Sequence, residues 1–174
     1  VLVKDGNNVE LIEVKAKSFS FESEFYSEKG FISSSWRSYL YDIAFQNWVT
    51  KNVYPHWEIT PYLMLADKNK RSSVSGMNQL FTIKKDQASD KSYKIDRDLE
   101  SGILGDKLLT KVNVSKAIKM IYLGKDKAQK DKSNEDKKEF SSRLREYAEY
   151  YKNDEMFPVQ VGSKCKKCEF KNDK

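Results

Sequence analysis

Glu13 and Lys15 are the residues whose types and spacing best suit chemistry in this chain. In Leu11-Ile12-Glu13-Val14-Lys15-Ala16, the apolar Ile12, Val14 and Ala16 alternate with Glu13 and Lys15. That period of two marks a half-buried strand. On such a strand the carboxylate and the ammonium point to one side, about 7 Å apart. Together they can hold a divalent cation and an attacking water beside a phosphate. They can equally form a solvated ion pair on an edge strand, which contributes little to stability.

The neighbouring elements must position this pair. Val1 to Lys4 and Val9 to Ala16 are two β-type runs joined by Asp5-Gly6-Asn7-Asn8, the pattern of a hairpin. Phe19 and Phe21 extend the alternation beyond it. Ser33-Ser34-Ser35 offers hydroxyls to cap a helix from about Trp36 to Lys51. Trp36, Leu40, Ala44 and Trp48 share one face of that helix, and Tyr39, Asp42, Gln46 and Val49 share the next. Gln46 needs a partner if it is buried, because an unpaired amide costs roughly 1–3 kcal/mol; otherwise it is a partly exposed helix residue. Pro55 breaks the helix, and the apolar run to Ala66 reads as a central strand. Lys68, Lys70 and Arg71 follow it in a basic loop that could meet phosphates or simply be solvated. A further strand is expected near Met77 to Ile83, and Lys84 to Asp98 is too polar to assign. Two more helices are expected, one ending near Leu123 and one from Glu139 to Asn153, with the charged run Lys125 to Lys138 solvated between them. The lone His56, beside Pro55, reads as structural, and Trp36 and Trp48 as core.

Composition sets bounds. A length of 174 residues fits one domain, or one with an appendage, and a formal charge of +6 suits a polyanionic partner such as nucleic acid. No run approaches the roughly 20 apolar residues of a membrane span, and no signal peptide is visible, so a cytoplasmic protein is expected. Cys165 and Cys168 form a C-x-x-C pair, which suits half of an iron–sulfur or zinc site in a reducing compartment. Alone, the two could also be free thiols or a disulfide. The chain opens at Val1 in mid-strand and stops just after the cysteines, so an excised fragment is expected, with site residues missing at both ends.

Taken in order, the hairpin, Glu13-Val14-Lys15, the helix carrying Gln46 and the apolar strand resemble the core of the PD-(D/E)xK nuclease superfamily, in its RecB-like branch. The wording Leu11-Ile12-Glu13-Val14-Lys15, Tyr41-Asp42-Ile43-Ala44-Phe45-Gln46 and Pro61-Tyr62-Leu63-Met64-Leu65-Ala66-Asp67-Lys68 is similar to a bacterial family of uncharacterised proteins related to the CRISPR-adaptation nucleases. Gly162 to Phe170 fits that family's cysteine end. The resemblance implies an α/β, restriction-endonuclease-like core at residues 1–110, with a mixed central sheet flanked by helices. A helical extension at 111–174, ending in the cysteines, would pack on it. It implies metal-dependent hydrolysis of DNA, single-stranded or with free ends. Glu13 and the Val14 backbone carbonyl would hold Mg²⁺ or Mn²⁺. Lys15 would orient or deprotonate water or stabilise the phosphate, and Gln46 would position them. Cys165 and Cys168 would contribute to a [4Fe-4S] cluster in the full-length protein. The family's first-strand Asp falls before Val1, so this fragment is expected to have an incomplete metal site and to be inactive. A non-catalytic nucleic-acid-binding or scaffolding module on the same fold is the alternative.

Overall fold

The computed structural model describes residues 1–76, 79, 81–85, 91–95, 105–128 and 138–158, the two short segments 81–85 and 91–95 by backbone alone. Strand β1 (Leu2–Asp5) turns through Gly6-Asn7 into the long strand β2 (Asn8–Phe19). Gly6 adopts φ +59°, as the first central residue of a tight hairpin requires. A 3₁₀ turn (Glu22–Phe25) leads to helix α1 (Ser34–Val53), and strand β3 (Glu58–Asp67) follows. Strands β4 (Phe81–Lys85) and β5 (Lys91–Ile95) pair as a separate antiparallel hairpin; β4 overlaps the strand expected near Met77 to Ile83, and β5 lies in the stretch too polar to assign. Strand β6 (Leu109–Asn113), helix α2 (Ser115–Tyr122) and helix α3 (Phe140–Lys152) complete the described chain.

The four-stranded sheet runs β1-β2-β3-β6. β2 lies parallel to β3, whereas the outer pairs are antiparallel. The sheet is therefore mixed, and β3 is central, as its apolar run implied. β6 crosses the expected boundary at 110/111 and forms the sheet's fourth strand.

Register decides which face is dry. Leu11 stands opposite Pro61 and Glu13 opposite Leu63, so the odd-numbered residues of β2 and β3 share the face on which α1 and α2 pack. Val9, Leu11, Ile59, Leu63, Leu65 and Val112 meet Leu40, Ile43, Ala44, Ile118 and Ile121 there. Ile12 is buried on the opposite face, but Val14 is 52% exposed and Ala16 is exposed as well. The simple expectation of apolar inside and polar outside thus fails at the site: Glu13 and Lys15 point toward the helix, and Val14 points away.

Aromatic packing fixes α1 against the end of β2. The rings of Phe25 and Trp36 are 4.8 Å apart and those of Phe19 and Phe25 5.4 Å. Ser33 precedes the helix, but its hydroxyl faces that of Ser35 at 3.1 Å and caps no backbone amide. A polar bolt joins α1 to α2. The buried Asn47 donates to the Tyr122 hydroxyl at 2.8 Å, which in turn donates to the Ala44 carbonyl at 2.8 Å. Asp126, within the run expected to be solvated, is also buried and accepts a hydrogen bond from the Tyr41 hydroxyl at 2.8 Å. Burial, reinforced by Asp126, pushes Tyr41 up to about 12. Tyr122→Phe should strand the Asn47 amide and cost about 1–3 kcal/mol of unfolding free energy, read by urea denaturation.

Candidate functional site

The groove between β2 and α1 holds the chemistry. Alternate residues on a strand repeat every 7 Å or so, and four residues of a helix rise about 6 Å, so the two elements can match side chain to side chain. Glu13, Lys15 and Lys17 advance along β2 as Gln46, Asp42 and Tyr39 recede along α1. Glu13 meets Gln46, and Lys15 meets Asp42.

Lys15 Nζ lies 2.7 Å from Glu13 Oε1 and 2.5 Å from Asp42 Oδ2. The Gln46 amide donates to Glu13 Oε2 and to Asp42 Oδ1, each at 3.1 Å. Two carboxylates, one ammonium and one amide thus close a ring of contacts. The Lys15 and Glu13 side chains are each 22% exposed and that of Asp42 is 40% exposed, so the cluster borders solvent. Asp42 and then Glu13, as hydrogen-bond acceptors, hold the Lys15 pKa above its usual value. The Lys15 ammonium in turn holds Asp42 below the ordinary carboxylate range, with Gln46 adding to the effect.

β2 breaks from its partner here. The β2–β3 ladder pairs Val14 with Met64 and resumes at Ser18 with Ala66, which leaves Lys15, Ala16 and Lys17 without partners in β3. Such bulges re-aim side chains next to functional sites. An open cleft of about 380 Å³ adjoins Gln46, walled by Leu2, Leu11, Phe45 and Val49.

The structure therefore brings Glu13, Lys15 and Gln46 together. It adds Asp42, which the sequence reading placed on the right helix face without giving it a role. Its four-residue spacing from Gln46 was the available signal. Lys68, Lys70 and Arg71 are exposed in the loop after β3. The backbone amide of Lys68 donates to the Phe19 carbonyl, which sets this loop at the end toward which β2 runs. Lys70 Nζ donates to the Leu109 carbonyl at 3.1 Å, while Lys68 Nζ reaches Glu24 at only 4.0 Å. His56 is exposed beside Trp57, outside the groove. Cys165 and Cys168 lie outside the described residues.

The donor chemistry fits a hard cation in part. Glu13, Asp42 and the Val14 carbonyl offer the oxygen ligands that Mg²⁺ and Mn²⁺ prefer. Among the described residues, however, no three acidic, histidine or cysteine side chains gather into a metal-binding group. No helix among them is long and apolar enough to cross a membrane. No protein-family model, curated protein or solved structure matches the chain.

The pKa shifts define a pH window. Lys15, raised in the fold, contributes stability that is complete below its ordinary 10.5 and is lost as pH rises through the folded value. Asp42, lowered in the fold, contributes stability present above 3.8 and lost as pH falls through its folded value. Asp42→Asn should therefore destabilise by about 0.5–1 kcal/mol near neutrality, the small size reflecting solvent screening. Its deficit against wild type should close in acid below the folded pKa of Asp42, as read by denaturant titrations across pH.

Proposed function

We propose that this chain is the core of a metal-dependent nuclease of the PD-(D/E)xK type, cleaving DNA phosphodiester bonds. One observation carries the reading: Glu13 and Lys15 converge with Gln46 where β2 leaves its ladder. An acid and an amine two residues apart on a strand, gripped by the glutamine of the next helix, form the arrangement that resemblance expects.

Glu13, with the Val14 carbonyl, would hold Mg²⁺ or Mn²⁺. When bound there, the cation supplies Lewis acidity toward the phosphate and a more acidic water. Lys15 is a cation throughout the physiological range, so its part is to neutralise charge developing on the phosphoryl oxygens rather than to take a proton. Gln46 fixes the orientation of both carboxylates through its two amide hydrogens. Asp42 holds the Lys15 ammonium in place.

The β1–β2 register bears on the first-strand acid that the resemblance expects. Leu2 stands opposite Leu11 and Val3 opposite Glu10, so a residue preceding Val1 in the same ladder would stand opposite Glu13 and on its face. That is where the resemblance expects the first-strand Asp. The DNA partner, the cytoplasmic setting and an iron–sulfur cluster on Cys165 and Cys168 belong to the same proposal. The engagement of Glu13 and Asp42 by Lys15 and Gln46 fits, as a second reading, a nucleic-acid-binding module without catalysis.

Mn²⁺-dependent cleavage of single- and double-stranded DNA by the full-length protein tests the assignment. Glu13→Ala and Lys15→Ala should each lower the rate by about 100-fold or more, with thermal melting shifted by only a few degrees. Unchanged rates in both variants would remove the catalytic assignment. No cleavage by the wild type, with DNA binding retained, would favour the binding module.

A further inference from the structure

The groove does not end at Lys15. Two residues further along β2, Lys17 Nζ lies 4.7 Å from the centre of the Trp36 ring and 5.3 Å from that of Tyr39. Lys15 Nζ reaches the same Tyr39 ring at 5.9 Å. Among the described residues no carboxylate pairs with Lys17, whereas Lys15 has two. The Lys17 charge thus rests on ring faces, with no carboxylate in direct contact among the described residues. Its segment is also the part of β2 freed from the β3 ladder.

We propose that Lys17, seated on Tyr39 and Trp36, is a phosphate-binding subsite for a single strand of nucleic acid lying along the β2–α1 groove. It rests on the nuclease reading for its neighbour, the Glu13–Lys15 cluster, and adds a phosphate contact beyond that cluster. An ammonium has three N–H donors. The rings cover one side of it and leave donors for a phosphate oxygen. Lys17 follows Lys15 by two residues on β2 and both ammonium groups lie against the Tyr39 ring, so a phosphate held at Lys17 stands beside the Glu13–Lys15 cluster. Tyr39 is a positioning residue: it is partly buried, packs at 6.0 Å against Trp36, and lies under both ammonium groups.

The test is binding of a fluorescein-labelled oligothymidylate to the protein in EDTA, by anisotropy over a range of salt, with the matching duplex alongside. Lys17→Gln should weaken single-strand binding about fivefold or more, and should reduce the slope of log affinity against log salt by about 0.7, the value for one lost phosphate contact. Tyr39→Phe should bind as wild type, and Tyr39→Leu should lose affinity with circular dichroism and melting unchanged. Wild-type affinity and slope in Lys17→Gln would overturn the subsite, as would a wild-type protein that binds no single strand or prefers the duplex. The two readings separate cleanly. Cleavage that needs Glu13 but binding indifferent to Lys17 removes the subsite alone. Binding that needs Lys17 in a protein that never cleaves keeps the subsite and removes the nuclease.

Discussion

Lys15 stands between a carboxylate of its own strand and one from helix α1, and the surrounding geometry follows from that constraint. Two like charges brought to one nitrogen repel each other unless the cation stays between them and protonated. The rise in the Lys15 pKa and the fall in that of Asp42 both express this. Gln46 completes the balance without adding charge, because its amide hydrogens occupy the one oxygen on each carboxylate that Lys15 leaves open. The cluster carries one net negative charge at neutral pH, and it borders water rather than lying in a dry core.

The cluster can form only because strand and helix are held in step. Phe19, Phe25 and Trp36 pin the end of β2 to the start of α1, and the Asn47–Tyr122–Ala44 bolt fixes the far half of the helix to α2. Between these anchors, strand and helix repeats nearly coincide. A slip of one residue in β2 would turn Glu13 and Lys15 to the other face. The buried Leu11 and Val9 oppose that slip, since they would turn to the open face with them. The same hydrophobic register that builds the core therefore also aims the polar pair.

Much of this arrangement was legible in the sequence because it depends on short periods. Glu13 and Lys15 share a side by strand geometry, and Gln46 lay on the polar-apolar face of its helix. The central place of β3 followed from the apolar run Tyr62 to Ala66, and the mixed sheet was what the family resemblance implied. Other features depend on tertiary context that local patterns do not carry. Asp42 shared a helix face with Gln46 but had no role until Lys15 stood opposite it. Asp126 sat in a run of charges, and only the packing of Tyr41 makes it a buried acceptor. The exposure of Val14 reversed the expected polarity because the covering helix lies on the odd-numbered face. Of the β4–β5 pair, β4 overlaps the strand expected near Met77 to Ile83, whereas β5 formed from residues too polar to signal a strand by hydrophobic alternation.

The state of Lys15 also limits how the proposed chemistry can work. A neutral amine could take a proton from water, but Asp42 and Glu13 both favour the charged form of this one. Converting it to a base would uncover two carboxylates at once, and the surrounding charge works against that. On the proposed reading, a cation held by Glu13 would compete with Lys15 for that carboxylate. Occupancy of the site by metal and release of the ammonium toward a phosphate would then be coupled events. In that arrangement Asp42 becomes the tether that keeps the ammonium within reach once Glu13 is engaged elsewhere. On that reading a second carboxylate, on the helix rather than the strand, belongs to the site because it holds Lys15 independently of Glu13.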